Sequence, residues 1–187
     1  MDHEKATGLS AVDRPVDSAV HRARPWRNSV LWLFPLALLV GVQFGAGLYE
    51  KIILVPRWSS LPGDRVVAAI EDVGMKAAGR EFWPFVSPAV GVLAILNLVL
   101  AWRSTNANRS WWLAGAALMA GYAIFSYGFF VPQMLMLQAD GGTWPADRIE
   151  TVVDWWTGLN YLRMVIGGAG WLCVLRALSM SSAARAR

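Results

Sequence analysis

Trp156, Asn160 and Arg163 stand four and three residues apart in the last apolar run of the chain. In a helix that spacing puts all three on one face. Gly167 continues the face beside Gly168 and Gly170, and residues this small let a second helix approach closely. A guanidinium two turns inside an apolar span is costly, so it faces a protein interior or a wet cavity. Gln43, Gly47 and Glu50 repeat the same spacing near the end of the first apolar run. A Glu50–Arg163 pair is therefore expected, because guanidinium and carboxylate match in bidentate fashion. The competing arrangement is a snorkelling Arg163 and an interfacial Glu50 paired with Lys51.

Other polar groups are expected at the same depth: Tyr49 on the first helix, Trp83 and Ser87 on the second, Ser126, Tyr127 and Gln133 on the third. They imply a pocket toward the outer surface, with Trp156, Tyr49, Tyr127, Gln133 and Trp83 as substrate contacts. Taken singly, each Tyr or Trp fits an aromatic belt at the membrane interface equally well.

Several chemistries are disfavoured by what is missing. Both histidines, His3 and His21, lie in the polar N-terminal segment, which argues against haem or a histidine-rich metal site among the apolar runs. No cofactor and no metal are expected. The lone Cys173 lies inside the last apolar run and reads as packing. No Ser/His/Asp set, phosphate loop or dinucleotide fingerprint occurs. The net charge of +4 does not point to nucleic acid, because the basic residues flank apolar runs instead of forming a patch.

The elements that must carry these residues are four apolar runs. The chain has 187 residues, 56% of them hydrophobic and 16% charged, against about 25% charged in a soluble domain. The runs cover about 29–55, 83–102, 111–137 and 155–180. Each is long enough to span ~30 Å of hydrocarbon at ~1.5 Å per residue. They are continuous and not alternating, so helices and not a β-barrel follow. The expected fold is an all-α bundle of four transmembrane helices spanning 29–180. A disordered cytoplasmic tail (1–28) precedes it and a short one (181–187) follows. Pro35, Pro84 and Pro88 are placed in the first turns of their spans, and Pro56 is expected to stop the first helix. Residues 61–79 carry Val66, Val67, Ile70, Val73 and Ala77 at helical spacing, which predicts a short amphipathic helix in the first outer loop.

Orientation follows from Lys and Arg. The two termini and the middle loop carry ten basic residues against four acids; the opposite face carries six against nine. That bias predicts both termini in the cytoplasm, hence a multi-pass protein of the cytoplasmic (inner) membrane.

The pattern Trp156-x3-Asn160-x2-Arg163, with Val131-Pro132 near the end of the third span, resembles the anthrone-oxygenase-like membrane proteins. Gly45-Ala46-Gly47-Leu48-Tyr49 followed by Val55-Pro56-x-Trp58 is similar to that family's opening segment. The likeness runs from about Val40 to Ala177. It implies a four-helix bundle and oxidation of a hydroxylated aromatic or polyketide anthrone by dioxygen, without an established metal or flavin. The chain departs from the family pattern at two places. It reads Phe130-Val131-Pro132-Gln133-Met134 where relatives often read Asn-Val-Pro-Leu-Asn, and Tyr161 stands where many have His.

Three functions are therefore in view. The first is a cofactor-independent oxygenase acting on a small aromatic ligand. The second is a non-catalytic accessory subunit of a larger membrane complex or a homo-oligomer. The third is a small transporter or lipid-binding protein, for which four helices are few. Membrane lipid is a partner under all three.

Overall fold

The computed structural model describes residues 29–183, and the two expected tails, except for 181–183, lie outside the described residues. Those described are almost entirely helical. The order is α1 (Ser29–Tyr49), a π-helical turn (Glu50–Leu54), α2 (Pro56–Ser59), α3 (Gly63–Asp72) and α4 (Met75–Trp102). There follow α5 (Arg109–Phe125), a second π-helical turn (Ser126–Phe130), α6 (Val131–Asp140), a 3-10 turn (Gly141–Thr143) and α7 (Ala146–Ala183). Four continuous stretches are long and apolar enough to cross a membrane: Ser29–Ser59, Met75–Trp102, Arg109–Thr143 and Ala146–Ala183. The protein is a multi-pass membrane protein built as a helical bundle.

The helices outrun the apolar sequences that announced them. α4 starts at Met75 and not near Trp83; α7 starts at Ala146 and not near Trp155, and it runs to Ala183. Apolar runs mark where hydrocarbon ends, not where the helix ends. At 38 residues α7 is about 57 Å long, nearly twice the ~30 Å hydrocarbon. Its extra turns hold Ile149, Val153 and Trp156 on one buried stripe among charges. Pro84 and Pro88 consequently sit inside α4, not in its first turn.

Pro56 does not stop the first helix. The chain widens into the π-turn Glu50–Leu54 immediately before it and continues through α2 to Ser59. Pro132 is preceded by the second π-turn in the same way. A proline ring collides with the carbonyl four residues back, and a π-turn displaces that carbonyl. Both spans thus cross a proline by widening for one turn.

α3 and α4 are separated by Gly74, whose φ of 71° is the left-handed conformation that ends a helix. The helix expected over 61–79 is therefore shorter, Gly63–Asp72, and Ala77 belongs to α4. Val66 and Ile70 of α3 are each 1% exposed. They are covered by protein: with Trp58, Met75, Phe130, Leu137, Ile149 and Val153 they form one hydrophobic core. This end of the molecule is a folded cap.

A second core lies toward the terminal end, formed by Leu33, Leu36 and Val40 of α1, Val90 and Ala94 of α4, Trp112 and Met119 of α5, and Val174 of α7. Glycines set its tightness. A Cβ on Gly115 would lie 2.9 Å from the Val174 backbone nitrogen, and one on Gly170 would lie 2.8 Å from Met119 Sδ. Gly167 and Gly168 bring α5 and α1 onto α7, through Tyr122 and Phe44. Gly41 backs onto Trp171, while Gly45 meets nothing within 4 Å.

Asn97, fully buried, ties this core together. Its amide donates to the carbonyls of Trp32 (3.2 Å) and Leu93 (2.8 Å), and its Oδ1 accepts from Trp112 Nε1 (2.8 Å). Asn97→Leu leaves the Trp112 N–H without its acceptor. The expected loss is about 1 kcal/mol, in the range of hydrogen bonds between membrane helices. It is read as a lower unfolding midpoint in detergent; an unchanged midpoint would show the network to be dispensable.

Candidate functional site

Between the two cores lies a polar layer. Tyr122 closes the terminal-end core, and Phe130 and Trp156 open the cap core. Arg163 sits between them: its Cζ is 4.5 Å from the Phe130 ring centre and 5.7 Å from that of Tyr122. Its Nε donates to Asn160 Oδ1 at 3.0 Å. That bond fixes the guanidinium plane and leaves the two terminal nitrogens for other acceptors. Asn160 is 2% and Trp156 6% exposed, so the Trp156–Asn160–Arg163 face points into the bundle. Cation–π contact with two rings lowers the cost of placing the charge here.

Glu50 does not meet Arg163 directly. Its Oε1 accepts from Trp83 Nε1 at 2.8 Å, which joins the first π-turn to α4. The two opposite charges act on each other through space. Among the described residues the ion pair is Lys76–Glu71, at 3.6 Å on the cap. Arg163 therefore has no carboxylate in ion-pair range there. Nor does Glu50 pair with Lys51, because Lys51 Nζ donates to the Thr157 carbonyl (3.0 Å) and lies 3.9 Å over the Tyr161 ring. Both arrangements weighed from the sequence assign Glu50 a cationic partner in contact; a tryptophan N–H stands there instead.

The remaining expected contacts divide. Trp83 is half-buried and joined to Glu50, while Gln133 is half-buried on α6. Tyr49 is 57% exposed, on the outer side of α1. Tyr127 is 42% exposed and faces Ser87 of α4. Of the residues named from the sequence, Arg163, Asn160, Trp156, Glu50 and Trp83 thus form the layer and its wall. Tyr49 points away from it.

Three neighbours were not legible as site residues. Phe130 and Tyr122 flank the guanidinium, and Trp58 packs on Trp156 with ring centres 5.7 Å apart. Phe130 and Trp156 meet edge to face at 5.7 Å. The spacing Tyr122–Ser126–Phe130 is helical, four and four, and was the available signal. Trp58 follows Pro56, in a stretch read as the end of the helix.

Both π-turns fall at this depth, carrying Glu50 on one span and Ser126 to Phe130 on the other. Such turns gather at functional sites because they re-aim side chains within a helix. Several polar atoms in and near the layer also lack hydrogen-bond partners among the described residues: Gln43 Oε1, Ser126 Oγ, Trp156 Nε1 and Trp58 Nε1. The two best-formed surface grooves lie at the cap, one along Ser59–Pro62 with Glu150 and Asp154, the other along Asp154–Leu159. Neither is lined by Arg163, Asn160 or Glu50. No group of three His, Cys, Asp or Glu side chains placed to hold a metal occurs among the described residues.

What the arrangement can do is hold an anion. It offers a guanidinium held by Asn160 with no carboxylate in contact among the described residues, indole N–H donors and two aromatic faces. Compared with family models, curated proteins and solved structures, the chain matches none.

Proposed function

We propose that the polar layer binds a hydroxylated aromatic as its anion and exposes it to dioxygen, making the protein a cofactor-independent oxygenase. The observation that carries this reading is Arg163, a half-buried cation between two aromatic rings with no carboxylate in contact among the described residues. Intramembrane cations without a structural counter-ion mark binding sites. Arg163 holds the ring oxygen as an anion, and Asn160 keeps the guanidinium in its plane. Loss of a methylene proton to Glu50 gives a carbanion that reacts directly with dioxygen. The CH2 group becomes a carbonyl, one oxygen atom entering the product and the other leaving as water. The resemblance to anthrone-oxygenase-like proteins supports the same chemistry.

The bias of Lys and Arg toward the termini and the middle loop supports a cytoplasmic membrane with both termini inside. The cap then faces outward, and α3 lies in the first outer loop.

Uptake of dioxygen by purified protein given a hydroxylated anthrone tests the reading. One dioxygen per substrate is expected, with Arg163→Ala falling to the uncatalysed rate. Equal turnover by wild type and Arg163→Ala removes Arg163 from the mechanism. A second reading, a non-catalytic accessory subunit, is favoured by Phe130, which packs on both Arg163 and Trp156. Recovery of a stoichiometric membrane partner in mild detergent, with no dioxygen uptake, would select it.

A further inference from the structure

We infer that Ser126 and Gln43 form the opposite, hydrogen-bond-accepting wall of the Arg163 site and select ligands that carry a second hydroxyl. This rests on the reading of the layer as an aromatic-anion site. Ser126 is 5% and Gln43 3% exposed, yet Ser126 Oγ and Gln43 Oε1 have no hydrogen-bond partner among the described residues. Buried polar atoms are almost always paired, and in hydrocarbon an unpaired one has no water to turn to.

Register places Ser126 at the Arg163 layer and Gln43 below it, within the length of a two-ring ligand held at Arg163. α5 and α7 run antiparallel, with Gly115 against Val174, Gly170 against Met119 and Gly167 against Tyr122. One further turn in that register sets Ser126 level with Arg163. On α1, Gly47 lies against Met164 and Gly41 against Trp171, which sets Gln43 level with Gly168, about one and a half turns below Arg163. Ser126 opens the second π-turn and shares the buried face of Tyr122 and Phe130, four residues to either side, while Tyr127 and Gly128 next to it are exposed.

The two walls differ in kind. Arg163 and the unpaired Trp156 N–H only donate. Gln43 Oε1 only accepts, and Ser126 Oγ accepts as well as donates. A ligand that satisfies both sides has an anionic oxygen at Arg163 and a hydroxyl donor elsewhere on its ring system. A mono-hydroxylated ring satisfies one wall and leaves the other unpaired. Sites built to hydrogen-bond a substrate hydroxyl reject analogues that lack it.

Calorimetric titration of the full chain in nanodiscs, against empty nanodiscs, with 1-naphthol and 1,5-dihydroxynaphthalene tests this. Wild type is expected to bind the diol about tenfold more tightly. Ser126→Ala and Gln43→Leu should each bring that ratio close to one, through loss of affinity for the diol. Ser126→Thr, which keeps the hydroxyl, should restore the preference; a general packing defect would not be rescued in this way. If 1-naphthol binds wild type but the diol has no advantage, or the variants keep it, the wall is overturned and the Arg163 site stands. If neither compound binds wild type, the Arg163 site itself falls, and this wall with it.

Discussion

Arg163→Met is expected to weaken binding of an aromatic anion by about 10- to 100-fold while leaving the bundle as stable as wild type or more so. Each half has a separate cause. Hydrogen bonds to a charged group contribute about 1.5–3 kcal/mol, and the ligand anion loses them all. Stability moves the other way, because inserting an arginine at mid-membrane costs about 2.5–3.5 kcal/mol. Methionine fills the space between Phe130 and Tyr122 without that cost. Asn160 loses its Arg163 contact, which offsets part of the gain. The measurements are naphthol affinity and the thermal midpoint on one preparation. A residue kept only for packing gives the reverse pattern: a lower midpoint and unchanged affinity.

Gly63→Ala is expected to be the most damaging small substitution in the cap. The added Cβ would overlap the Ala146 carbonyl oxygen and lie 2.9 Å from both its carbonyl carbon and its Cα. All three belong to backbone, so no side chain can rotate away. Gly63 N also donates to Glu150 Oε1 at 3.0 Å, which ties the start of α3 to the start of α7. Forcing the two apart strips Val66 and Ile70 of their cover. The expected loss is about 2–3 kcal/mol, confined to the cap. Hydrogen exchange over 63–72 should accelerate strongly while α5 stays protected. Unchanged protection in α3 would show that the cap is not held at this contact.

The membrane-spanning runs were legible because hydrocarbon imposes a length and a composition on any helix that crosses it. The helix ends were not. Ile149 and Val153 lie among charges, so averaged hydropathy starts the last span only near Trp155, although the helix is continuous from Ala146 and packs that stripe into the cap core. Pro56 reads as a break because a π-turn has no composition of its own. The same holds for the site. Trp156, Asn160 and Arg163 were legible as one face, since they lie on a single helix at fixed spacing. Glu50 was found but its partner was not: pairing across helices depends on register, and Trp83 on α4 reaches the carboxylate first. Phe130 and Tyr122 look like ordinary core until the guanidinium is seen between them.

The central claim is that the polar layer holds an aromatic anion against Arg163. A density map of the protein purified from its own membrane tests it most directly. The account predicts planar density between Arg163 and Ser126, with Phe130 and Trp156 moved aside to admit it. Phe130 and Trp156 still packed on Arg163, with a second membrane chain seated stoichiometrically against the bundle, would contradict it.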